Sequence, residues 1–116
     1  MVKFFLNLLA FAPLFATLAI TQNSNYIQIN YFNDNNCTDF ASSPPVVPLD
    51  FGVYNWETPG TNSAGIANCD GYQTCWCWFY PSANASGTAT LAQYPSGNFT
   101  TCVTGQFASF DCQIAA

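Results

Sequence analysis

Six cysteines, Cys37, Cys69, Cys75, Cys77, Cys102 and Cys112, stand in a chain of 116 residues that holds one basic residue and no histidine. An even set in a short chain reads as three disulfides if the protein matures in an oxidising compartment. A zinc site around Cys75-x-Cys77 is the rival reading, and it suits a secreted chain poorly. The N-terminal stretch points to secretion. Met1-Val2-Lys3 is a short charged region, Phe4 to Leu18 is almost wholly apolar, and Thr17-Leu18-Ala19 offers the small residues a signal peptidase reads. Residues 1–19 are therefore expected to be a signal peptide, with 20–116 a single secreted domain. A membrane anchor fits less well, because Asn7 and Pro13 interrupt a run already short for a span of about 20 residues.

That leader contains Lys3, the only cation, so 20–116 has no Lys, Arg or His against six acids: Asp34, Asp39, Asp50, Glu57, Asp70 and Asp111. Binding to nucleic acid rests on cations that displace counterions, and none are present. Anionic lipid surfaces are excluded on the same grounds. Ser-His and Cys-His nucleophile pairs and histidine-ligated metals are excluded as well. The carboxylates are the remaining acid–base groups. Asp50 with Glu57 is a pair on paper for glycoside hydrolysis, but Asp34 and Asp70 sit in turn contexts where Asp bonds its own backbone. The expectation is no enzyme, no catalytic residue, no metal and no cofactor. Calcium is the minor alternative, at the oxygen-rich turn Asn33-Asp34-Asn35-Asn36 or at Gly97-Asn98-Phe99-Thr100-Thr101. Three sequons, at Asn36, Asn84 and Asn98, suit a glycoprotein of the eukaryotic secretory route.

Strand signals recur along the chain. Tyr26 to Phe32 alternates, with Ile27, Ile29 and Tyr31 on one face. Leu49–Tyr54, Gly65–Cys69, Cys75–Tyr80, Thr88–Gln93 and Phe107–Ile114 follow. Turn formers separate them at Asn33–Asn36, Ser42–Pro45, Asp70-Gly71, Pro81–Asn84 and Pro95–Asn98. Short strands at such intervals describe an all-β sandwich or barrel. Cys69 with Cys75 would close the Asp70-Gly71 loop, Cys102 with Cys112 would tie the last two strands, and Cys37 with Cys77 would then remain; six cysteines allow many other connectivities.

A faint internal repeat runs through these elements. Phe32-Asn-Asp-Asn-Asn-Cys37-Thr-Asp39 aligns with Tyr80-Pro-Ser-Ala-Asn-Ala85-Ser-Gly87, 48 positions on. The second copy resembles the folded-hairpin signature of the βγ-crystallin family, with Ala85 where an aromatic is usual. In the first copy Cys37 takes that place and Asp39 replaces the glycine. The stretches "YFNDNNC", "GIANCDGYQTCWCWFYP" and "YPSGNFTTC" are also similar to the small secreted cysteine-rich proteins of fungi. Together these resemblances imply a single disulfide-stapled, βγ-crystallin-like Greek-key sandwich and an effector-like or toxin-like secreted protein, non-enzymatic and expected to be monomeric.

The strand "CWCWFYP" puts Cys75, Cys77 and Phe79 on one side and Trp76, Trp78 and Tyr80 on the other. The second row is either a platform for an extracellular partner or part of the core. With only Leu49 and Leu91 as leucines in 20–116, aromatics must fill the interior, and the core reading is favoured. The partner is expected to be an extracellular protein or, alternatively, a cell-wall glycan bound through exposed aromatics.

Overall fold

A computed structural model describes residues 26–45, 47–48 and 52–115. The expected leader with its expected cleavage point, and Asp50, lie outside the described residues. All nine regular elements described are strands: β1 (Tyr26–Phe32), β2 (Phe40–Ser42), β3 (Val47–Pro48), β4 (Val53–Asn55), β5 (Ser63–Asp70), β6 (Thr74–Tyr80), β7 (Thr90–Tyr94), β8 (Cys102–Thr104) and β9 (Ser109–Ala115).

They form two antiparallel sheets. The first runs β2-β1-β5-β8, with β3 also pairing with β1; the second runs β4-β9-β6-β7. The chain divides between β5 and β6, and each half lends one strand to the other's sheet. β4 leaves the first half to pair with β9, and β8 leaves the second to pair with β5. The period-two pattern decides which side of each strand is inside. Ile27, Ile29 and Tyr31 of β1 and Cys75, Cys77 and Phe79 of β6 are all at most 1% exposed, so both strands bury one complete row. Burying a side chain as large as Ile or Phe contributes about 1.5–3 kcal/mol. The centre is aromatic, as a leucine-poor chain requires. Phe79 packs against Phe107, Phe110 and Tyr31 with ring centroids 5.4, 5.6 and 6.4 Å away.

The internal repeat has a structural counterpart. Phe32 ends β1 and Tyr80 ends β6, and each is paired in register with a serine, Ser63 and Ser109. Both serines are buried. The Ser63 hydroxyl accepts the Cys37 N–H (3.1 Å) and donates to the Asp34 carbonyl (2.7 Å). The Ser109 hydroxyl accepts the Ala85 N–H (3.0 Å) and donates to the Ser82 carbonyl (2.6 Å). Cys37 and Ala85 both adopt left-handed backbone, with φ of 59° and 56°. Each turn thus folds back onto its sheet and hangs on one buried hydroxyl. Gly87 (φ 95°) completes the second turn, and a Cβ there would lie 2.6 Å from Pro81 Cγ.

All six cysteines are bridged, as Cys37–Cys102, Cys69–Cys75 and Cys77–Cys112. The expected Cys69–Cys75 bond is present and closes the crossing from β5 to β6. The expected Cys102–Cys112 and Cys37–Cys77 bonds are not, and strand exchange is the reason. β8 pairs with β5 and β9 with β6, so the last two strands are not the neighbours that a Cys102–Cys112 tie supposes. Cys112 instead faces Cys77 across the β6–β9 ladder. Cys102 reaches the Cys37 turn over Gly65, where an added Cβ would lie 2.6 Å from the Thr101 carbonyl. β2, β3 and β8 went unanticipated, and Ser42, expected in a turn, belongs to β2.

The outward face of the second sheet as a candidate binding site

β6 is the interior strand between β7 and β9, so its outward side chains sit in the middle of a flat face. Trp76, Trp78 and Tyr80 occupy that row and are half-buried, whereas Cys75, Cys77 and Phe79 are inside. The favoured core reading of the three aromatics is therefore corrected. The two cysteines of β6 must reach partners in the interior, and a period of two then turns the tryptophans out.

The register assigns their neighbours. Trp76 lies between Gln93 of β7 and Gln113 of β9; Trp78 lies between Leu91 and Asp111, with Val53 of β4 beyond. Tyr80 lies beside Ser109. Same-face residues along a strand repeat at about 7 Å, so the rings form a continuous stripe. The Trp76 indole N–H donates to Gln93 Oε1 (2.7 Å), and Gln93 Nε2 in turn donates to the Pro95 carbonyl (3.1 Å). These bonds fix the indole plane and the amide together. The Tyr80 phenol is pushed up in pKa by burial, by the charge of Asp111 and by its hydrogen bond to that carboxylate.

The first sheet provides an internal control. Aligned 48 positions back, Trp76 and Trp78 correspond to Gln28 and Asn30, also outward and half-buried. Gln28 Nε2 donates to Asn30 Oδ1 (3.2 Å) and to Ser43 Oγ. At these two positions one face carries amides and its counterpart tryptophans, while the first sheet turns Tyr26, Phe32 and the exposed Phe40 outward around its amides. A shallow cleft of about 170 Å³ lies beside those amides, lined by Asn30, Phe32, Gly65, Ala67 and the Cys37–Cys102 bridge.

The other sequence-derived candidates fall elsewhere. Asp34 Oδ1 accepts the N–H groups of Thr38 and Asp39 (both 3.0 Å), and Oδ2 accepts the Thr38 hydroxyl. The Thr38 hydroxyl and Asp39 N–H hold its carboxyl well below the usual range. Turn bonds thus employ the oxygens that calcium would need. In the second oxygen-rich segment, the Thr100 hydroxyl donates to the Cys102 carbonyl and accepts its N–H. Among the described residues no three His, Cys, Asp or Glu side chains gather as a metal site. Asn36, Asn84 and Asn98 are all exposed. Asn84 also exchanges two hydrogen bonds with Asn55, of 3.0 and 2.8 Å.

The chain matches no protein-family model, no curated protein and no solved structure. Sequence reasoning missed Gln93, Gln113 and Asp111, which reach the site only through strand register. The signal for the tryptophans was within reach, since extending the repeat four residues back sets Trp76 and Trp78 against two amides.

Proposed function

We propose that this is a secreted, non-enzymatic binding protein, effector-like or toxin-like, that meets an extracellular partner through the outward face of β6. The observation that carries the reading is the contrast between the two sheets. Positions that hold Gln28 and Asn30 in one half hold Trp76 and Trp78 in the other, so the architecture does not demand aromatics there. Large, partly exposed rings at dispensable positions are the usual anchors of a binding surface. The three disulfides suit an extracellular protein, and the leader and sequons agree with export. The exchanged strands, paired left-handed turns and paired serines support a βγ-crystallin-like Greek-key identity, and the cysteine pattern supports a fungal small secreted protein.

Glycan binding is the more specific reading. Rings pinned by hydrogen bonds and flanked by Gln93 and Gln113 combine stacking surface with donors and acceptors suited to hydroxyls. A double variant that writes the first sheet's residues into the second, Trp76→Gln/Trp78→Asn, is the direct test. It should keep its circular dichroism spectrum and lose binding to an immobilised panel of cell-wall polysaccharides and extracellular proteins. Loss of about 2 kcal/mol or more per anchor is typical of such residues. Unaltered binding by the folded variant would move the interaction to another surface.

A further inference from the structure

Among the described residues Asp111 is the one acid on the aromatic face, level with Trp78 and next to Tyr80. Its carboxylate lies close enough to the Tyr80 phenol to raise that phenol's pKa, and its oxygens have acceptor capacity for a ligand. Residues 20–116 hold no Lys, Arg or His that could neutralise it. The neighbouring indole and phenol rings also attract cations through their negative π faces. With six acids and no basic side chain in the domain, the surrounding field favours a positive ligand and repels an anionic one.

We propose that this face selects a glycan carrying free ammonium groups, a glucosamine-type polymer, over acetylated, neutral or acidic counterparts. The inference rests on the glycan reading above. Sugar rings stack on Trp76 and Trp78, hydroxyls meet the Gln93 and Gln113 amides, and an ammonium group pairs with Asp111. A basic peptide matches the charge but not the geometry. β6 has β7 on one side and β9 on the other, so an extended peptide finds no free backbone edge to pair with at the stripe.

The test is titration of the intact domain with glucosamine, N-acetylglucosamine, neutral glucan and galacturonate oligomers of equal length, at low salt and about pH 5.5, where carboxylates are ionised and amines protonated. The glucosamine oligomer should bind roughly tenfold or more tighter than the others. Asp111→Asn should remove that preference, whereas Asp70→Asn, which deletes the same charge from the other sheet, should retain it. Tyr80→Phe, which keeps the carboxylate and removes only the neighbouring hydroxyl, should retain the preference too and controls for folding. Equal losses in the Asp111 and Asp70 variants would reduce the effect to net charge and overturn the proposal. So would equal affinity for the acetylated oligomer, or tighter binding of a Lys/Arg peptide that also depends on Trp78. If Trp78→Ala abolishes glycan binding while Asp111→Asn changes nothing, the glycan face stands and the charge selection falls. If Trp78→Ala changes nothing, both fall.

Discussion

Ser63 and Ser109 each do with one hydroxyl what a longer loop would need several bonds to do. Each is buried beneath its folded-back turn, accepts an N–H from a left-handed residue and donates to a carbonyl three positions before it in the turn. Replacing either by alanine leaves two backbone groups without that partner, and about 1–3 kcal/mol should be lost in each case. Denaturant midpoints of Ser63→Ala and Ser109→Ala should therefore fall by similar amounts, and a loss confined to one would break the equivalence of the halves. Tyr31 is the opposite case. Its hydroxyl is buried with no hydrogen-bond partner among the described residues, and burial, with Glu57 nearby, raises its pKa well beyond the usual phenol range. Tyr31→Phe removes an unpaired polar group and keeps the ring against Phe79. It should leave stability unchanged or raise it by up to about 1 kcal/mol in urea unfolding. Neither role could be read from sequence. A lone serine carries no periodic signal, and Ser63 lies 29 positions from the carbonyl it serves.

Strands with a clean alternation were legible as elements: β1 was placed to the residue, and β6 lacked only Thr74. β2, β3 and β8, of two or three residues, are too short for a period to be recognised. Pairing between elements was less legible still, because adjacency in sequence does not survive strand exchange. That is why Cys102 was assigned to Cys112; the direction of the tryptophan row was misjudged for another reason, the scarcity of leucine in 20–116. A period of two groups residues by face, but the placement of Cys77 against Cys112 settles which face is inside. The bridges should also differ in reactivity. Cys37 and Cys102 are each half-buried beside an open cleft, whereas Cys75 and Cys77 are fully buried. Graded reduction followed by alkylation and peptide mapping should label Cys37 and Cys102 first. Earlier labelling of Cys77 and Cys112 would show that the core opens more readily than the cleft. Removing the Cys37–Cys102 bridge with a Cys37→Ser/Cys102→Ser variant should cost about 2–4 kcal/mol, since it closes the longest loop of the three.

For the whole molecule, charge without counter-charge sets the response to pH and salt. No acid in 20–116 has a basic side chain to pair with, so mutual repulsion weakens the compact state at pH 7 and is screened by ions. Added monovalent salt should raise the thermal midpoint at pH 7 and do less at pH 4. Asp34 limits how far acid can help. Its folded pKa is depressed by turn hydrogen bonds, so its contribution is complete above the unfolded value of about 4 and is lost as pH falls through the folded value. Midpoints should hold or rise from pH 7 to about 4 and then decline, and Asp34→Ala should abolish the decline. A steady fall from pH 7 downward would mean that other carboxylates depend on being charged.

The exchange of β4 and β8 also bears on ancestry. A half-chain built like either side of this molecule has one strand to lend and one gap to fill, so it is incomplete alone. Two identical half-chains would satisfy each other by trading those strands, as a symmetric pair does. Joined through the turn at Gly71 and sewn by Cys69–Cys75, the pair becomes one gene product whose halves are then free to diverge. Sisters bound in this way need keep in common only what pins each one's own turn, a serine and a left-handed residue. One could retain its two outward amides while the other took on tryptophan there.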